Sequence, residues 1–220
     1  MRVGFQDELD ELCNGIQTEG RLTAMAVSDA TRALVDWSVE AFEATLAAED
    51  AVKLHYHETE VRVETLLARQ APVAGDLRTV LAALHINRSL ERAAHNAARV
   101  AHLATPPPRR ALVEEAVITD ALRAMGDRGA EMVRTAIDTF ERRDANASRL
   151  LSALDELVDR ENEKIADTIL TMENNDPELR KWAARMMFAG RWLERVGDHA
   201  VNVAERTTYM VTGESTPTAS

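Results

Sequence analysis

The chain has 220 residues, of which 45% are hydrophobic and only 4% aromatic, with a formal net charge of −11. That length buries a real core in one larger domain or two small ones, and a bias toward Ala, Leu, Glu and Arg favours helix over strand. The acidic balance makes nucleic acid a poor partner, no 18-residue apolar run offers a membrane span, and a single cysteine excludes a disulfide framework.

The fold class read from this pattern is all-α, and the prolines punctuate it, because proline stops a helix and disfavours helical geometry in the residue before it. Residues 5–46 carry Leu9, Leu12, Ile16, Leu34, Phe42 and Leu46 at helical spacing, with Gly15 and Gly20 as candidate bends. Cys13 falls on the same stripe and reads as a small buried hydrophobe. The N-terminus has no apolar h-region, which, with the absence of paired cysteines, points to a cytoplasmic protein. A second helix is expected over 50–69, ahead of Pro72, and a third over 74–103. Pro106–Pro108, followed by Arg109 and Arg110, lie near the midpoint and read as a joint. Beyond it the order recurs, with helices expected at 111–143, 146–173 and 177–211. Gly213 is a candidate helix cap, and ESTPTAS (214–220) reads as a frayed tail. The domain reading is therefore 1–105, 109–212 and a tail at 213–220.

The two halves repeat at an offset of 103 residues. HETEVRVETLLARQ (57–70) matches RENEKIADTILTME (160–173) at Glu58/Glu161, Glu60/Glu163, Thr65/Thr168 and Leu67/Leu170. LERAAHNAARVA (90–101) matches LERVGDHAVNVA (193–204) at six of twelve positions. One offset shared by two separate segments implies a duplicated three-helix unit, since one small unit buries its apolar face poorly alone.

On the last expected helix, Leu179, Trp182, Met186, Leu193, Val196, Ala200 and Val203 form one apolar stripe. Glu194, Asp198 and Asn202 lie at i, i+4 and i+8 on a stripe beside it. Carboxylates four residues apart have Cβ atoms about 5–6 Å apart, close enough to share a cation. Gly190 and Gly197 flank Glu194 and suit close approach of another helix. In so acidic a chain the same spacing also arises on solvated faces, so the spacing alone does not make a site. Five histidines (His55, His57, His85, His95, His102) fall in the first half, but none sits in the Glu-x-x-His spacing of di-iron bundles. His199 reads as a hydrogen-bonding neighbour of Asp198, and Trp37, Trp182 and Trp192 as core. Arg191 and Arg195 bracket Glu194 and offer ion pairs to the acidic stripe instead of a metal. No nucleophile elbow, phosphate loop or His-Glu-x-x-His motif occurs.

LERVGDHAVNVAE (193–205), PVAGDLR (72–78), the two-repeat layout and the near-terminal YMVTGE together resemble the PhoU family of phosphate-uptake regulators. The resemblance implies two tandem three-helix bundles laid end to end. In the family a second acidic pair sits on the preceding helix, a place taken here by Asp155 and Asp159 of ALDELVDREN. It further implies a metal cluster, here on Asp155, Asp159, Glu194 and Asp198, holding a divalent or trivalent ion (Fe, Mn, Mg or Zn). The implied function is that of a non-catalytic adaptor that represses the phosphate-starvation response. Its implied partners are the ATPase subunit of the phosphate ABC transporter, a sensor histidine kinase and a second copy of itself. The chain departs from the family pattern in its first repeat, where Val52, Tyr56 and His95 replace three of the four acids and only Glu91 remains. No first-repeat metal cluster is therefore expected. A different class, a di-metal carboxylate enzyme in a helical bundle, is the second reading, and four carboxylates without histidine would suit Mg, Mn, Ca or Fe better than hydrolytic Zn. A helical protein whose acids are merely solvated is the third.

Overall fold

The computed structural model describes residues 3–108, 113–172 and 176–214, all of whose regular structure is helical. The helices are α1 (Val3–Asp36), α2 (Val39–Gln70), α3 (Ala74–His102), α4 (Val113–Arg142), α5 (Ala147–Thr171) and α6 (Pro177–Thr212). The expected starts of the fourth helix and second domain, Arg109 and Arg110, Glu173 at the expected end of the fifth helix, and the tail beyond Glu214 lie outside the described residues.

The last four helices fall within one or two residues of expectation wherever they are described, and local chemistry fixes both ends of α6. Asp176 caps α6 by accepting from the Glu178 N–H at 3.0 Å, and Pro177 occupies the first turn, where its missing N–H costs nothing. At the other end Gly213 takes a left-handed φ of 76° and donates to the Tyr209 carbonyl at 2.8 Å, as expected of a C-terminal cap. The first two helices differ from the reading. The continuous stretch to residue 46 breaks at Trp37 and Ser38, so α2 starts at Val39 rather than near 50. Trp37 adopts a left-handed φ of 55°, and the Ser38 hydroxyl accepts from the Ala41 N–H at 3.1 Å. The turn is thus made without proline or glycine. Gly15 and Gly20 are not bends, since α1 runs unbroken through both.

Each half is a three-helix bundle, α1–α2–α3 and α4–α5–α6, but the bundles are not laid end to end. α1 packs on α4 and α3 on α6, so these four form a central bundle, with α2 outside one edge and α5 outside the other. One apolar core runs through both halves, including Ile16 and Val27 of α1, Ile86 and Leu90 of α3, Met132 of α4 and Leu193 and Val196 of α6. Burial of this shared stripe is what joins the repeats. The contacts are reciprocal. A Cβ at Gly20 would collide with Ile137, and one at Gly126 would collide with Thr31. Both glycine and partner are related by the same 106-residue step. The first helices of the two repeats therefore correspond at 106, whereas α3 and α6 begin 103 residues apart.

Candidate functional site

Asp155 and Asp159 lie one turn apart on α5, and Glu194 and Asp198 one turn apart on the facing stretch of α6. The helices meet closely because α6 has glycine where α5 projects side chains. A Cβ at Gly197 would strike the Asp155 carboxylate, and one at Gly190 would strike the Asn162 amide. The four acids form a ladder. After burial, Asp198 is the group that acts most on Asp155, and Glu194 the one that acts most on Asp159. Burial and the charges of Asp198, Asp159 and Glu194 push the Asp155 carboxyl up to about 7. Asp159 and Asp198 are also raised, each by burial first and then by neighbouring carboxylates. Asp155 Oδ1 is buried and has no hydrogen-bond partner. The sequence-derived set is therefore brought together, and it is under electrostatic strain.

Glu194 differs from the other three. Arg191 pairs with one of its oxygens, and the Asn162 amide donates to the other at 2.5 Å. Arg195, the second expected arginine partner, stands instead over the Trp192 ring, 4.9 Å from its centroid, with Arg99 4.4 Å from the same centroid. Trp192 is only half-buried and holds two guanidinium groups, unlike Trp182, which is in the core at 4% exposure. Trp37 makes the α1–α2 break rather than core. No set of three or more His, Cys, Asp or Glu side chains among the described residues is gathered tightly enough to hold a metal ion as it stands.

A groove of about 660 Å³ opens beside the ladder. Its α5 wall carries Ser152, Asp155, Glu156 and Asp159, and its floor on α6 carries Asp198, His199 and Asn202. The opposite wall is α3, with Arg92, His95, Asn96 and Arg99. His199 thus shares a groove with Asp198, and burial together with Arg92 and Arg195 lowers its ring to about 4, so it is neutral at physiological pH. The sequence reading missed the α3 wall, because repeat matching compares the halves and says nothing about which face of one meets the other.

In the first repeat, the counterparts of the acids neutralise themselves. Val52 is fully buried, Tyr56 donates to Glu60 at 2.7 Å, and His95 bonds Glu49 at 2.9 Å, with Lys53 3.0 Å from the same carboxylate. Glu91 lies 3.6 Å from Arg92. A second acid was not anticipated there. Glu19 of α1 is fully buried, neither carboxyl oxygen has a partner, and burial with the charge of Glu91 pushes it up to about 9. By the 106-residue correspondence its counterpart is Met125, a core residue. Glu19 lies outside both matched segments, so no comparison of those segments could find it.

A family model described as the PhoU domain matches residues 16–104 and again 122–207. The chain is 30% identical over 212 residues, 95% of its length and 86% of the relative's, to the phosphate-specific transport system accessory protein PhoU homolog of Pseudomonas aeruginosa. It is 28% identical to a homolog of the same description from Methanothermobacter thermautotrophicus, covering 97% of this chain and 96% of that one. The crystal structure of PhoU from Pseudomonas aeruginosa superposes with a TM-score of 0.86 at 29% identity, covering 96% of this chain and all of that one. The phosphate transport system regulatory protein PhoU from Streptococcus pneumoniae, at 23% identity, shares the fold with a TM-score of 0.84 over 97% of this chain and 99% of that one.

Proposed function

The chain belongs to the PhoU family, and from that premise we propose that it is a regulatory adaptor of phosphate uptake rather than an enzyme. It represses the phosphate-starvation response by connecting the ATPase subunit of a phosphate transporter to a sensor histidine kinase, acting as a cytoplasmic homodimer. Its relatives' description as accessory proteins of a phosphate-specific transport system supports this role. So does the absence, among the described residues, of a helix long and apolar enough to cross a membrane.

The second bundle binds a metal through Asp155, Asp159 and Asp198, with Glu194 able to join if it exchanges Arg191 and Asn162. The observation that carries this is the orphaned, buried Asp155 oxygen inside a set of mutually repelling carboxylates. An all-oxygen donor set suits Mg, Mn or Fe better than Zn. A bound ion would be held by Asp155, Asp159 and Asp198 and would supply positive charge between α5 and α6, offsetting the repulsion among these carboxylates. Because Asp155 sheds its proton when metal binds, uptake of Mn²⁺ should strengthen as pH rises through about 7. Elemental analysis and isothermal titration of the purified protein, with Asp198→Ala, test the site. Loss of metal in that variant, with Glu91→Ala unaffected, is the expected result, and equal loss from both would overturn it. For the adaptor role, deletion of the gene should derepress phosphate-starvation genes in phosphate-rich medium, and unchanged expression would overturn that role.

A further inference from the structure

Between Arg180 and Arg195, α6 carries five cations (Arg180, Lys181, Arg185, Arg191 and Arg195) against one acid, Glu194, in a chain whose net charge is −11. Lys181, Arg185, Phe188, Trp192 and Arg195 fall at i, i+4, i+7, i+11 and i+14, which is one stripe of a helix. The stripe faces outward. Its three cations and Phe188 are exposed, Phe188 at 58%, and Trp192 is half-buried. Arg99 of α3 joins it, since its guanidinium and that of Arg195 both lie over the Trp192 ring. Among the described residues neither of these two arginines has a carboxylate partner, and Arg185 reaches only the Thr105 hydroxyl.

The fold itself does not call for this surface. In α3, at the 103-residue offset, Arg185 corresponds to the buried Ala82, Phe188 to His85 and Trp192 to Ser89. The first repeat builds its third helix with a small residue and two polar ones there, so Arg185 and the two exposed rings are not needed to hold α6 in place. Aromatic anchors set among arginines are instead the composition of docking surfaces, where the rings supply burial and the guanidinium groups supply direction.

We propose that this face of α6 docks an acidic, amphipathic helical segment of a partner protein, which seats an apolar side chain against Phe188 and Trp192 and places carboxylates on Arg99, Arg185 and Arg195. The inference rests on the adaptor reading and deepens it by giving the chemistry of a partner. Guanidinium groups stacked on an indole are already held in place, so receiving a carboxylate costs them little further ordering. Lys181 to Arg195 spans about 21 Å, the length of a partner helix of about four turns. Charge favours such a partner over an anionic membrane. The stripe is one helix wide, and the carboxylates of Asp159 and Asp198 act on Arg191 from its α5 side. A flat anionic surface that meets Arg191 meets those carboxylates as well, whereas a helix about 10 Å across follows the stripe and avoids them.

The test is fluorescence anisotropy of the purified full chain with a labelled synthetic peptide of about 16 residues, apolar at every third or fourth position and Glu on both flanks. Saturable binding is expected, at least tenfold weaker for a control peptide in which every Glu is Gln. Phe188→Ala and Arg185→Gln, both at exposed positions, should each weaken binding at least fivefold with unchanged thermal midpoints. Arg88→Gln, at the exposed first-repeat counterpart of Arg191, should leave binding unchanged. The proposal is overturned if the peptide does not bind, if the Gln peptide binds equally well, or if both stripe variants bind like the wild type. It is overturned too if phosphatidylserine-containing vesicles bind the chain and both stripe variants abolish that binding, which makes a membrane the occupant. Dissociation of the chain's own dimer by Phe188→Ala in sedimentation likewise overturns it, since a second copy then covers the face. The peptide measurement involves no starvation genes, so its failure leaves the adaptor role standing, whereas unchanged expression on gene deletion removes that role without touching the peptide result.

Discussion

Glu19 is a carboxyl group where the repeat's logic calls for a thioether. Its counterpart Met125 fills the same position of the second bundle at no electrostatic cost, whereas Glu19 must stay protonated, held at about 9 by burial and Glu91. The sign of its pH dependence follows. A group whose folded value is raised stabilises the fold most below its unfolded value, near 4.5, and that contribution is lost as pH climbs toward 9. At neutral pH the forced protonation costs on the order of 3 kcal/mol. Glu19→Met should therefore raise stability at pH 7 by roughly 1–3 kcal/mol, with a smaller gain at pH 5 and a larger one at pH 9. Urea unfolding midpoints at the three pH values measure it, and a pH-independent difference would mean that Glu19 finds a partner. Glu194 and Asp198 were singled out by their spacing, and Asp155 and Asp159 by the resemblance to the PhoU family. Glu19 was not, because one acid on an apolar stripe resembles any helix-face residue until its neighbours are known.

Helix ends were legible wherever proline or a terminal glycine marks them, as at Pro72, Pro177 and Gly213. The α1–α2 break was hidden because Trp37 supplies a left-handed residue and Ser38 a cap, neither of which stands out in a helical pattern. Gly20 and Gly126 were read, or passed over, in the wrong terms. What their sequence could not say is that each faces a side chain of the other repeat, Ile137 and Thr31. Gly20→Ala gains about 1 kcal/mol in helix propensity but drives a methyl group into the branched base of Ile137, and overpacking of that kind costs about 1–3 kcal/mol. A lowered thermal midpoint is the expected net result. Gly20→Ala combined with Ile137→Ala should lose less than the sum of the two single changes, since the alanine methyl then occupies vacated space.

At the scale of the whole molecule, the duplication was legible and the mutual placement of its halves was not. A 103-residue offset says that two units are alike, but side-by-side packing depends on which apolar face each unit leaves uncovered, and α1, α3, α4 and α6 each bury more than one face. The groove inherits that dependence, having one wall from α3 and the rest from α5 and α6. Separately encoded halves, cut after Pro108, should copurify when coexpressed and aggregate when expressed singly, because the α1–α4 and α3–α6 seam is apolar. Tagged pull-down with size-exclusion chromatography reads this directly.

The reciprocal pairing of Gly20 with Ile137 and Gly126 with Thr31 has the form of an isologous contact, the kind two identical subunits make across a two-fold axis. In a true homodimer every change at such a site is made twice, so both clefts must change together. Joining the two units in one chain releases that restriction. One repeat can pair its charges internally, as Glu49, Lys53 and His95 do, while among the described residues the other leaves Asp155, Asp159 and Asp198 without ion pairs, and a protein of this architecture can refine a single receptive face without weakening the seam that supports it.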